Sequence, residues 1–188
     1  PPTKKNYSLI AVLCLVGLIV LSGVVYSSTR KTPEGLLGMA KEHYQVGAYE
    51  KAVPLLLKAA KRKNIEAQNL LGLMYTTGLG VEADPKEGAS WYRQSAEQGD
   101  ATGEWNLGLM YHDGLGVERN FTEAIKWYES AAIKGYPNAQ YSLAYMYSNG
   151  LGVALNYKEA AKWYQLAGDR GDIYAKAILW RMHGDGLL

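Results

Sequence analysis

Residues 103–136 read GEWNLGLMYHDGLGVERNFTEAIKWYESAAIKGY, and nearly the same text stands one period of 36 residues earlier and one later. Residues 67–100 read AQNLLGLMYTTGLGVEADPKEGASWYRQSAEQGD, and residues 139–172 read AQYSLAYMYSNGLGVALNYKEAAKWYQLAGDRGD. The matching columns are Leu71/Leu107/Leu143, Gly72/Gly108/Ala144, Met74/Met110/Met146 and Tyr75/Tyr111/Tyr147, then Gly78/Gly114/Gly150, Gly80/Gly116/Gly152 and Val81/Val117/Val153. Trp91/Trp127/Trp163 and Tyr92/Tyr128/Tyr164 complete the set. Self-similarity at a fixed period of this length marks a repeat architecture.

Each copy reads as two helices. In the first, Ala67, Leu70, Leu71, Met74 and Tyr75 follow the i, i+3, i+4, i+7, i+8 spacing of one helical face, so a first helix is predicted over 65–77. The Gly78–Val81 run ends it, because glycine enters the left-handed region after a helix terminus at no steric cost. Val81 is expected to return to the core. Asp84-Pro85 opens a second helix, with aspartate as N-cap and proline at the first helical position, and Asn120 and Asn156 keep a capping side chain in that column. The second helix should run to about Glu97 and end at Gly99. The small residues of the Gly72 column mark a close helix crossing, and Ala89, Ala124, Ala160, Ala96, Ala132 and Ala167 serve the same packing on the second helix. One such pair cannot bury its apolar face alone, so the copies must stack and share a continuous core.

These residues resemble the Sel-1-like repeat, a relative of the tetratricopeptide repeat, over residues 65–172. The copies divide as 65–100, 101–136 and 137–172. The resemblance implies an all-α, right-handed α-solenoid that binds proteins. Upstream, residues 33–64 resemble a shorter tetratricopeptide-like pair, with Ala40, Ala52, Leu56 and Ala59 in register and Gly47 at the turn. This pair lacks the Gly-x-Gly-Val loop and reads as an N-terminal cap. Downstream, residues 173–188 begin a further copy, with Ala175, Met182 and Gly186 in register. Trp180 occupies the small-residue column. Two roles are open to it: closing the end of the core, or docking a partner on an unfinished end.

The chain's 15 Tyr and 5 Trp against a single Phe reflect the repeated columns. Charge is uneven. Residues 1–64 hold ten Lys or Arg against three acids, net +7, whereas residues 65–188 hold ten against fifteen, net −5. The basic part adjoins Ser8–Val25, SLIAVLCLVGLIVLSGVV, which carries no charge. At about 1.5 Å per residue this run forms a helix of roughly 27 Å, close to the thickness of a hydrocarbon core. Tyr7 and Tyr26 flank it as interfacial rings. The expected order is a short tail (1–7), a transmembrane signal-anchor helix (8–26) and a linker (27–32). Val25-Tyr26-Ser27 is a poor cleavage site, which favours an uncleaved anchor. The short tail fits an N-in orientation with the distal domain in the periplasm of a bacterium. The flanking Lys4, Lys5, Arg30 and Lys31 also allow a domain facing the cytoplasm. Ala11, Cys14, Gly17 and Ser22 share one arc of the span, where small residues would admit another helix. Cys14 is the only cysteine, so disulfides and thiolate metal sites are excluded from the repeats.

No catalytic constellation is present. His43, His112 and His183 are scattered, without a metal-ligand spacing, and no cofactor or metal is expected. Gly78-x-Gly80 joins two helices and lacks the Lys-Ser/Thr of a phosphate loop. The acidic repeats argue against nucleic acid. The resemblance to tetratricopeptide-like solenoids implies that first helices line a concave face, exposing Asn69, Leu73 and Thr76, then Trp105, Leu109 and His112, then Tyr141, Tyr145 and Asn149, then Tyr174 and Arg181. Trp, Tyr and Arg are common interface anchors. The alternative for Trp105 and Tyr141 is packing between neighbouring first helices. The expected function is a non-catalytic, membrane-anchored scaffold, adaptor or accessory subunit of a membrane protein complex. A regulator that binds a peptide or cell-wall glycan fragment in the groove is the alternative, and no small-molecule substrate is expected.

Overall fold

Two helices that must cross at a glycine need a large side chain above it, and the repeats supply a tyrosine. The structure, a computed structural model, describes residues 31–188. Among them are nine α-helices and no strand. The predicted anchor, with Ala11, Cys14, Gly17 and Ser22, lies outside the described residues. No helix among the described residues is long and apolar enough to cross a membrane.

The chain divides into two compact units, at Asn64 and Ile65. Within the first, α1 (Pro33–Gln45) and α2 (Tyr49–Ala60) form an antiparallel pair. The Thr32 hydroxyl accepts from Gly35 N at 3.1 Å and caps α1. Gly47 turns the chain at φ +75°. Ala40, Ala52, Leu56 and Ala59, the four residues placed in register from the sequence, are fully buried.

The second unit stacks α3 (Ile65–Thr77), α4 (Pro85–Glu97), α5 (Ala101–Asp113), α6 (Phe121–Ile133), α7 (Pro137–Asn149), α8 (Tyr157–Asp169) and α9 (Ile173–Gly184). Consecutive helices pack on one another, so α4 joins α3 to α5, α6 joins α5 to α7, and α8 joins α7 to α9. The helix starts are those read from the sequence. Asp84 accepts from Lys86 N and Glu87 N, Asn120 from Glu123 N, and Asn156 from Glu159 N, each at 3.0–3.1 Å. The same capping residues fasten the loop back. Asp84 N, Asn120 N and Asn156 N donate to the carbonyls of Tyr75, Tyr111 and Tyr147 at 2.8–2.9 Å.

Leu71, Leu107 and Leu143, the three methionines Met74, Met110 and Met146, and Tyr92, Tyr128 and Tyr164 fill the core. The crossing is close. A Cβ built on Gly72 would stand 2.6 Å from the Tyr92 ring, inside any real carbon contact. The second glycine of the second and third loops is small for a reason that the sequence alone did not show. A Cβ on Gly116 would lie 2.2 Å from the Pro85 carbonyl, and one on Gly152 would lie 2.6 Å from Phe121 Cβ. The preceding copy's second helix therefore begins against bare backbone of the next loop. This fixes the step from copy to copy. Val117 and Val153 reach only the edge of the core, half-buried.

Two further expectations need correction. Trp180 does not close the end of the core. It is 81% exposed, while Ala175 and Met182 of the same helix are buried in register. The Tyr75/Tyr111/Tyr147 column is half-buried rather than core, and its hydroxyls tie copies together. Arg93 donates to Tyr111 Oη at 2.8 Å, and Tyr147 donates to Glu129 at 3.5 Å.

Candidate functional site: recesses between successive first helices

Stacking places α3, α5, α7 and α9 side by side, and tyrosines of the second helices form the floor between them. Three recesses follow. The first, about 620 Å³, lies between α3 and α5 and is lined by Leu70, Leu73, Tyr92, Asn69, Asp100 and Asn106 among others. The middle one, about 90 Å³, lies over Tyr128 between α5 and α7 and is bounded by Leu109, His112, Tyr141 and Tyr145. The third, about 590 Å³, lies between α7 and α9, with Tyr141, Tyr145, Tyr157, Tyr164, Arg181 and Asp185 on its walls.

The residues expected on a concave face therefore gather there, but in two different roles. Trp105 is half-buried, and its indole Nε1 donates to Ser142 Oγ on the next first helix at 3.1 Å. Its ring packs 5.7 Å from that of Tyr136. Tyr141 is also half-buried and meets Tyr164 edge-on at 5.5 Å. Trp105 thus braces neighbouring first helices, the packing alternative, whereas Tyr141 packs on the second helix of its own copy. Asn69 likewise spends its amide on Asp100, donating at 2.8 Å. His112 places Nδ1 2.6 Å from Asp113 Oδ1 and packs against Phe121. The accessible members are Leu73, Tyr145, Asn149, Tyr174 and Arg181. Tyr145 is 41% exposed and Tyr174 71%.

Burial raises the pKa of the tyrosines that line the groove. Tyr128 is pushed up chiefly by desolvation and next by the Asp113 carboxylate. Tyr141 is raised by desolvation and then by Asp172. Tyr164 is raised mainly by its burial. The carboxylates of Asp113 and Asp172 act on these phenols, and Arg181 opposes the rise at Tyr141 and Tyr164. Asp100 is the N-cap of α5 and accepts from Gly103 N and Asn69 at 2.8 Å and from Ser95 at 3.3 Å. None of these donors carries a full positive charge.

Some lining residues were missed from the sequence. Glu66 and Leu70 share the helix face of Asn69 and Leu73, and that spacing was the available signal. Asp100 belongs to the junction between copies and could not be placed without the stack. Away from the groove, Glu104 is buried and receives Ser130 Oγ at 2.7 Å and Lys134 Nζ at 2.6 Å. Gln68 and Gln140 hold the same column. Among the described residues, no group of three His, Cys, Asp or Glu could hold a metal ion.

A stack of helix pairs with a groove along its first helices defines a helical-repeat scaffold. The Sel1 repeat signature matches residues 65–100, 101–136 and 137–172, and the chain belongs to the Sel1 repeat family. The crystal structure of a Sel1 repeat protein from Oxalobacter formigenes is similar, at 39% identity and a TM-score of 0.75, covering 80% of this chain. A protective antigen of uropathogenic Escherichia coli with an SLR fold is 29% identical, with a TM-score of 0.81 over 88% of this chain. The chain spans 62% of the Oxalobacter protein and 36% of the antigen. Cysteine-rich protein B of Helicobacter pylori, at 24% identity and a TM-score of 0.53, shares the fold. Sel1 repeat proteins serve generally as protein-interaction scaffolds.

Proposed function

We propose that this chain is a membrane-anchored scaffold or adaptor, an accessory subunit of a membrane protein complex, which holds a segment of its partner along the recesses between its first helices. The observation that carries the reading is the series of three recesses with Leu73, Tyr145 and Arg181 accessible along them. The uncharged run Ser8–Val25 supports the anchor, with the repeats placed in the periplasm on this reading. The partner is a protein, and the reaction, if the complex has one, belongs to that partner.

The test is co-purification after gentle membrane solubilisation, comparing the native chain with Tyr145→Ala. A stoichiometric membrane protein, lost with Tyr145→Ala, supports the subunit reading. Recovery of a glycan or free peptide alone favours the regulator instead. Intact-mass analysis of the same membranes tests the anchor, and a soluble species beginning near Ser27 would remove it.

A further inference from the structure

The charge along the groove is lopsided. Asp100 lines the first recess, Asp113 stands beside the second, and Asp185 lines the third. Against them stands one guanidinium, that of Arg181 in the third recess. Asp172 adds its field at Tyr141. The His112 ring lies against Asp113 and adds a positive charge only if protonated.

Two of these acids oppose local stability. Asp113 is the last residue of α5, and Asp185 is the C-cap of α9. A helix C-terminus carries partial negative charge and favours lysine or arginine over a carboxylate. The helix-end field therefore disfavours aspartate at both places, although Asp113 gains its contact with His112, and a cationic ligand would favour both.

The recesses also carry a spacing. Each lies one first helix beyond the last, and packed helices stand about 8–10 Å apart. An extended chain advances roughly 3.3 Å per residue, so one step takes about three residues. Apolar walls separate the acids: Leu70 and Leu73 in the first recess, Leu109 and Met146 in the second, Ile178 and Met182 in the third.

Resting on the groove reading above, we infer that the segment held there is an extended basic stretch of a protein partner, with Lys or Arg at about every third position and apolar side chains between. Each cationic head meets one acid of the series, while its neighbours fill the apolar walls. The complement is electrostatic, so it governs association rate and salt dependence as well as affinity.

The experiment uses the full chain in neutral detergent and a fluorescein-labelled peptide of Lys-Val-Pro repeated three times, which proline keeps extended. The control peptide carries Glu in place of Lys. Fluorescence anisotropy should show binding of the Lys peptide, weakened by salt, and none of the Glu peptide. Asp113→Lys with Asp185→Lys should weaken the Lys peptide by about tenfold or more, with thermal unfolding unchanged or raised because both helix ends gain a favourable charge. Equal binding of both peptides, or undiminished binding by the double variant, overturns the inference. If the double variant keeps its affinity while Tyr145→Ala loses it, the groove stands and only the charge assignment falls. If neither peptide binds, the charge assignment also falls, and the groove rests on the co-purification above.

Discussion

Tyr128 lies across Gly108 so closely that a Cβ on the glycine would stand 2.6 Å from the tyrosine's Cδ1 and Cε1. The ring is rigid and fully buried, so it cannot yield without moving α6. Gly108→Ala should cost about 1–3 kcal/mol by overpacking. Gly108→Leu should cost more and disrupt the copies on either side, because they share this core. Thermal unfolding of both variants checks this; melting unchanged from the native chain would refute the crossing.

Trp105 and Tyr145 should separate fold from binding. Trp105 stitches α5 to α7 through Ser142, so Trp105→Ala should lose roughly 2–3 kcal/mol of packing and hydrogen bonding. Tyr145 is accessible, so Tyr145→Ala should shift stability by less than about 1 kcal/mol while reducing partner capture. Unfolding and co-purification are read on the same preparations. Equal stability losses would mean that the two tyrosine and tryptophan positions are both structural.

The stack was legible in the sequence because glycine, tyrosine and capping residues recur at one period, and each answers to a local rule. The site was less legible. Trp105 and Tyr141 stand in columns that vary between copies, which resembles a binding surface. Yet Trp105 answers to Ser142 across the copy boundary and Tyr141 to Tyr164 on the second helix of its own copy, relations that the columns alone do not display. The first recess needed Asp100, a junction residue whose position depends on how two copies meet.

Glu104 gives a further test. Its carboxylate is buried beside Lys134, whose side chain is 38% exposed. Lys134→Met leaves that charge without its cation and should cost roughly 2–3 kcal/mol, less than a fully enclosed pair would. Glu104→Gln should cost less, since Gln68 and Gln140 fill the same column. Adding it to Lys134→Met should restore part of the loss. Chemical unfolding of the four proteins decides. A double variant as weak as the two single losses summed would deny the pairing.

The buried phenols predict the alkaline limit. Folding raises the pKa of Tyr128, Tyr141, Tyr147 and Tyr164, with desolvation the first cause in each. The unfolded chain, with tyrosines near pH 10, therefore releases protons first. Their contribution is full below about pH 10 and is lost as pH rises through the folded values. Phenolate absorbance followed beside circular dichroism should show these four phenols ionising only as helix is lost. Complete titration near pH 10 with the helices intact would contradict the burial.

Trp180 departs from the rule of its column. In the three matched copies that column is glycine or alanine, and the tyrosine of the second helix rests on it. An indole in the same place leaves such a tyrosine no seat of that kind. Trp180→Gly would restore the seat, so one side chain decides whether a first helix of this stack offers a joint.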